Sequence, residues 1–124
     1  MLQTPKHQTY DLEGRTLRFA KAVRDFIKLL SRSISNIEYG KQLIRSSASV
    51  GANYIEANES LSRKDFYMRI KIAKKEAKES IYWLQLIEPQ SSSSSQTTLN
   101  SLLKEAQELI NILGAILKTQ NVTV

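Results

Sequence analysis

The sequence predicts an all-α protein, folded as an antiparallel up-down-up-down four-helix bundle. Four segments repeat apolar residues at steps of three and four, which is the period of a helix that buries one face. No segment alternates apolar and polar residues over the length of a strand. The links between the segments are too short for a long crossover, so consecutive helices should lie antiparallel. A chain of 124 residues suits one domain, and we expect one bundle over residues 1–124.

The first two helices are predicted over residues 12–33 and 36–60. The first carries its apolar residues on one arc and basic residues opposite, which is typical of an amphipathic helix with one face in solvent. A capping box marks the start of the second, because the Ser35 hydroxyl can accept from the backbone and Glu38 can reach back to it. The apolar arc of the first helix consists of Phe19, Val23, Phe26, Ile27, Leu30 and Ile34.

The last two helices are predicted over residues 63–88 and 98–119. Ser62 and Asp65 repeat the capping spacing at the start of the third helix, and the proline after its last residue opposes continuation. The fourth shows one broad apolar arc. Five consecutive serines between these helices offer no apolar anchor, so residues 89–97 are expected to form a flexible surface loop.

Residues 46–60, SSASVGANYIEANES, combine small side chains with wider apolar coverage than a bundle helix needs. Small residues let two backbones approach closely, and close packing must offset the roughly 1 kcal/mol by which Gly51 disfavours a helix interior. The pattern fits a tight crossing inside the subunit, a helix used in self-association, or both. The third helix also has a second apolar flank, and monomers rarely expose large apolar patches. We therefore predict an interface between copies formed by Ala48, Ala52, Ile55, Met68, Ile72 and Trp83.

Basic residues are concentrated on the third helix. The chain has 18 basic and 12 acidic residues, and this formal net charge of +6 favours acidic partners such as RNA or DNA. Tyr67 and Tyr82 border the basic stripe and could stack on bases. The alternative is a solvated face whose lysines form salt bridges with neighbouring glutamates. The predicted nucleic-acid-binding residues are Arg63, Lys64, Lys71, Lys74, Lys75 and Lys78.

The sequence does not predict an enzyme, a cofactor or a bound metal. It has no cysteine, and its one histidine, His7, precedes the predicted helices, so it offers no familiar nucleophile–base pair. One alternative is open. Glu56/Glu59 and Glu76/Glu79 resemble the ExxE…ExxD pattern of all-α nucleotide pyrophosphohydrolases, which hold Mg²⁺ with carboxylate oxygens, although the second pair ends in Glu rather than Asp. Salt bridges would explain the same glutamates.

The chain shows no hydrophobic targeting segment. No stretch approaches the roughly 18 consecutive apolar residues of a membrane span, and the first residues lack the apolar run of a signal peptide. We therefore expect a cytoplasmic protein with no membrane partner.

Much of the chain, about residues 10–88, resembles one family. The blocks that carry the resemblance are YDLEGRTLRFAKAVRDF, GKQLIRSSASVGANYIEAN and SRKDFYMRIKIAKKEAKESIYWLQLI. The family is the bacterial four-helix-bundle family also called the 23S rRNA intervening-sequence protein, or S23, family. The resemblance implies an architectural rather than catalytic role for the residues that match the family pattern, which are Arg45, Ser49, Asn53, Glu56, Lys75, Glu76, Glu79 and Trp83.

The same resemblance implies a ring-like homopentamer. Its architecture is similar to that of the pentameric accessory proteins of diversity-generating retroelements, which present a basic surface to nucleic acid and a reverse transcriptase. The sequence therefore predicts a non-catalytic homo-oligomer that associates with nucleic acid through its third helix. Two alternatives stand beside it: a scaffold that binds only another protein, and a Mg²⁺-dependent pyrophosphohydrolase.

Overall fold

The computed structural model describes residues 11–121 as a chain of four α-helices. The helices are α1 (Leu12–Lys28), α2 (Ile34–Asn58), α3 (Arg63–Leu86) and α4 (Ser93–Lys118), and a 3₁₀ turn (Thr119–Asn121) follows α4. No strand occurs in this range, so the predicted all-α fold class is confirmed. Residues 1–10 and 122–124 lie outside the described range, and the prediction for His7 falls there.

The four helices enclose one apolar core. Each helix contacts the next, and α1 also contacts α4, as in a four-helix bundle. Contacts along α1 and α2 run in opposite directions, because Thr16 lies against Gly51 and Ile27 against Gly40. The predicted bundle is therefore confirmed. Among residues 11–121, no helix has the length and apolar character needed to cross a bilayer. Large side chains buried in the core include Val23, Leu43, Val50, Ile70, Leu84, Leu109 and Leu113.

A partly buried ion-pair cluster ties α1 to α4. The Arg15 guanidinium donates to Glu105 at 2.6 and 2.9 Å and to Glu108 at 2.6 Å. Hydrogen bonding to Glu105, reinforced by Glu108, raises the pKa of Arg15 above its ordinary value. This contact keeps the first and last helices side by side.

The link between α1 and α2 differs from the prediction. α1 ends at Lys28 instead of near residue 33, and Ser33, not Ser35, is the N-cap of α2. The Ser33 hydroxyl accepts from the Asn36 backbone N–H at 3.1 Å. Ser35 already lies inside the first turn, so the predicted capping box with Glu38 is wrong.

The Asn36 side chain holds the link between α1 and α2 in place through three hydrogen bonds. Its buried side-chain amide donates to the carbonyls of Ser31 and Glu88, each at 3.1 Å. Its oxygen accepts from the Glu88 backbone N–H at 3.0 Å. One side chain thus joins the α1–α2 link to the chain just beyond α3.

The start of α3 is as predicted, whereas the start of α4 is not. Ser62 accepts from the Asp65 backbone N–H at 3.1 Å and caps α3. α4 begins at Ser93 instead of near residue 98, with Ser92 as its N-cap. Serine is a preferred N-cap, and the first turn leaves backbone donors that its hydroxyl can satisfy. The flexible loop predicted over residues 89–97 is therefore wrong from Ser93 onward.

Candidate nucleic-acid interface

One solvent-facing side of α3 carries a line of four lysines, here called the lysine stripe: Lys64, Lys71, Lys75 and Lys78. Intervals of seven, four and three residues return these positions to nearly the same side of a helix. All four are exposed, and at 1.5 Å per residue the stripe is about 21 Å long. Met68 and Tyr82 lie on the same side and are 52% and 57% exposed.

The stripe lysines have no carboxylate partner among residues 11–121. The nearby carboxylates of α3, Glu76 and Glu79, bind Arg45 of α2 instead. One Arg45 nitrogen lies 3.3 Å from Glu76 and 3.1 Å from Glu79. These contacts, the hydrogen bond to Glu76 foremost, raise the pKa of Arg45. Of these two glutamates, only Glu79 lies at a helical spacing from a stripe lysine, four residues after Lys75, and it pairs with Arg45 across the α2–α3 interface instead.

Arg63, a predicted phosphate contact, instead forms hydrogen bonds to the backbone just beyond α4. Its guanidinium donates to the carbonyls of Thr119 and Gln120 at 3.0 and 3.1 Å and lies over the Tyr67 ring, 5.2 Å from its centre. Basic side chains commonly satisfy the last carbonyls of a helix in this way. Tyr67 is itself buried, with its hydroxyl bonded to Thr119, so its ring is not open for stacking on a base.

Lys74 also departs from the stripe. It is only partly exposed, and its ammonium group lies 3.7 Å from the place that a side chain at Gly114 would occupy. Lys74 therefore reaches towards α4, whereas the stripe lysines face away from the core. Of the six predicted nucleic-acid-binding residues, the structure aligns the four of the stripe.

Tyr82 is the exposed end of an aromatic row that crosses from α3 to α2. Its ring meets Trp83 edge-on at 5.1 Å, and Trp83 stacks on Tyr39 of α2 at 6.0 Å. The Trp83 indole N–H is buried without a hydrogen-bond partner among the described residues. Trp83, predicted to lie between copies of the chain, thus packs against α2 of its own subunit.

The small residues of α2 are divided between two sides of the helix. Towards the core, a Cβ added to Gly51 would lie 2.7 Å from the Thr16 hydroxyl of α1. The Ser46 and Ser80 hydroxyls, both fully buried, are 2.8 Å apart and join α2 to α3. The predicted tight crossings inside the subunit are therefore present.

The outward side of α2 leaves its apolar residues exposed. Ala48 and Ala52 face solvent, and Ile44 and Ile55 are 46% and 44% exposed. On α3, Met68 is likewise exposed, whereas Ile72, also predicted at the interface, is only partly so. Four of the six predicted interface residues are thus exposed on the subunit, whereas Ile72 and Trp83 are both partly buried.

The four glutamates of the Mg²⁺ hypothesis lie in two separate groups. Glu76 and Glu79 bind an arginine, whereas Glu56 and Glu59 line a groove beside Arg69 at the α2–α3 turn. Glu76 is seven residues from Arg69, or about 10 Å along α3. In the described part of the chain, no group of three or more acidic, histidine or cysteine side chains is arranged to hold a metal ion. The geometry does not bring the two pairs together.

Comparisons with known proteins agree with this fold. The sequence model of the family described as 23S rRNA-intervening sequence protein matches residues 8–115. The chain is also similar to a crystal structure of a protein of unknown function from the S23 ribosomal protein family of Bacteroides thetaiotaomicron VPI-5482. The two are 32% identical with a TM-score of 0.73, over 86% of this chain and 98% of that one. No curated protein matches. The chain belongs to the 23S rRNA-intervening sequence protein family.

Proposed function

We propose that this protein is a non-catalytic, homo-oligomeric scaffold that binds nucleic acid through the lysine stripe of α3. The observation that carries the proposal is the exposure of four aligned ammonium groups without carboxylate partners among residues 11–121. Such cations bind phosphates and release the counterions condensed on a nucleic acid. The family description names the intervening sequence of 23S rRNA, which supports RNA as the nucleic acid.

Self-association is supported by the apolar side chains that the outer side of α2 exposes. Ile44, Ala48, Ala52 and Ile55 follow one another along about 16 Å of helix, and an apolar row of this kind is typical of a contact between helices. The family resemblance implies a ring of five copies. Five chains of net charge +6 would place about +30 on one particle, a strong field for a polyanion.

Salt dependence tests the nucleic-acid contact. RNA and DNA binding would be titrated at about 50 and about 200 mM salt with the wild type and a Lys71→Ala/Lys75→Ala/Lys78→Ala variant. Three lost phosphate contacts should reduce the slope of log affinity against log salt by about 2 to 3. The matched control, with an equal loss of charge on α1 and α4, carries Lys21→Ala, Lys28→Ala and Lys104→Ala.

Two results would refute the stripe as the contact. One is the absence of binding at low salt. The other is an equal reduction of the slope in the control variant, because binding would then follow net charge instead of the placement of the lysines.

Molar mass in solution tests the oligomer. Ala52→Arg places a long charged side chain on the exposed flank of α2 and should lower the mass measured by light scattering, with helix content preserved. Gln107→Arg, at an exposed position on α4, is the control. A wild type that is monomeric at high concentration, or an Ala52→Arg oligomer of unchanged mass, would refute this interface.

A scaffold for another protein is the second candidate, because the same exposed isoleucines of α2 would suit a foreign helix equally well. It predicts a monomer that binds no nucleic acid and retains its protein partner after nuclease treatment. The pyrophosphohydrolase hypothesis gains no support from the geometry, since its glutamate pairs lie apart.

A further inference from the structure

The residue at the end of the lysine stripe points to one form of nucleic acid. We propose that Tyr82, with Lys75 and Lys78, forms a stacking platform for an unpaired base, so that the stripe binds single-stranded nucleic acid in preference to a duplex. This inference rests on the proposed function, and it adds the class of ligand.

Tyr82 continues the line of the stripe by one helical turn. It lies four residues beyond Lys78 and seven beyond Lys75, or about 6 and about 10 Å along the axis. With 57% of its surface exposed, the tyrosine is among the most exposed aromatic side chains of the described chain. A base stacked on the ring would leave its own phosphate and the next within reach of flexible lysine side chains.

The Tyr82 ring is supported from within the subunit. Its edge-on contact with Trp83 at 5.1 Å, and the stacking of Trp83 on Tyr39 at 6.0 Å, anchor one side of the ring to α2. A ring held in this way loses little side-chain freedom when a ligand binds, so less of the stacking energy is spent on ordering it. The exposed part of the ring is the part that a base can cover.

A single strand can use this ring, whereas an intact duplex cannot. In a duplex each base is already stacked between its neighbours and turned inward from the backbone. In a single strand every base offers a π-face, and stacking on an aromatic side chain is tolerant of sequence. Because Tyr67 is buried, Tyr82 is the one such ring beside the stripe among residues 11–121. Duplex binding would depend on the lysines alone.

Paired affinity measurements test the inference. The probes are a labelled strand of about 16 nucleotides without self-complementarity, near the upper site size of single-strand binding folds, and the blunt duplex of the same sequence. The variants are Tyr82→Leu, which removes the flat ring and keeps an apolar side chain, and Tyr82→Phe, which keeps the ring. Circular dichroism checks that both remain helical.

The wild type should prefer the single strand. Tyr82→Leu should weaken single-strand binding by about 5- to 100-fold and leave duplex binding unchanged, whereas Tyr82→Phe should behave like the wild type. A wild type that prefers the duplex, or a Tyr82→Leu variant with unaltered single-strand affinity, would overturn the platform while leaving lysine-mediated binding intact. Failure to bind either probe at low salt would instead refute the proposed function itself.

Discussion

Replacing Gly51 by alanine tests whether α1 and α2 touch closely inside the subunit. The new methyl group would lie 2.7 Å from the Thr16 hydroxyl oxygen and 3.1 Å from the Thr16 Cβ, closer than side chains normally approach. Thr16 cannot yield easily, because it is buried and its hydroxyl donates to the Leu12 carbonyl at 2.6 Å. The crossing must therefore open or the hydroxyl must lose its partner.

Two opposing effects set the magnitude. In a helix interior, alanine is more favourable than glycine by about 1 kcal/mol. Overpacking a tight contact costs about 1–3 kcal/mol, and a buried hydroxyl left without its hydrogen bond costs a similar amount. We expect Gly51→Ala to lower the free energy of unfolding by about 1 kcal/mol. The same change at Gly114, where the new methyl group meets the Lys74 side chain at 3.7 Å, should raise it by about 0.5–1 kcal/mol.

Urea unfolding followed by circular dichroism and by the fluorescence of the single tryptophan measures both variants. Protein concentration must be fixed, since association contributes to apparent stability. A Thr16→Ala/Gly51→Ala double variant measures the coupling between the two positions. Without the Thr16 hydroxyl, the atom nearest to the new methyl group is the Cβ of residue 16, at 3.1 Å. The double variant should therefore lose less unfolding free energy than the sum of the losses in the two single variants. Equal or greater stability of Gly51→Ala relative to Gly114→Ala would refute the tight crossing.

Three further changes test the polar contacts. Arg45→Met should lower the free energy of unfolding by about 1–3 kcal/mol, because it leaves the Glu76 carboxylate buried without its cation. Arg24→Met is the control and should change this free energy little, because its partner Asp25 is exposed. Equal losses of unfolding free energy in urea for the two variants would contradict the role of burial. Asn36→Ala should destabilise the protein by about 2–3 kcal/mol, because three hydrogen bonds are lost. Asn100→Ala, on the surface of α4, is the control and should have little effect. An unaltered unfolding midpoint for Asn36→Ala would refute the role of Asn36 in joining the α1–α2 link to the end of α3. Arg63→Gln should leave the salt dependence of RNA binding nearly unchanged, because Arg63 donates to the carbonyls of Thr119 and Gln120, just beyond α4. A reduction in slope as large as that of Lys71→Gln would place Arg63 among the phosphate contacts.

The bundle could be predicted from the sequence because its signals are local. Apolar spacing along α4 and the Ser62–Asp65 cap of α3 each specify a helix without reference to the rest of the chain. The exposure of Ala48, Ala52 and Ile55 was predictable for a related reason: the apolar coverage of α2 exceeds what its two neighbouring helices can bury.

The details that failed depend on contacts between distant segments. Ser35 and Glu38 form a plausible capping pair by spacing, but Asn36 reaches Glu88, 52 positions away, and that contact fixes the cap at Ser33. Lys74 and Tyr67 likewise differ from the stripe only through their neighbours on α4 and at its end. A helical wheel gives the direction of a side chain but not the element that it meets.

The close approach of α2 and α3 is what links the fold to the proposed interface. The Ser46–Ser80 contact at 2.8 Å holds the two helices together one position from Arg45 and one from Glu79. At that separation Arg45 spans to both carboxylates of α3. A larger residue at Ser46 would separate the helices, and the released Glu79 would become a partner for Lys75, which lies four residues before it on the same helix. The positive charge available on α3 therefore depends on small residues buried on the opposite side of the same interface.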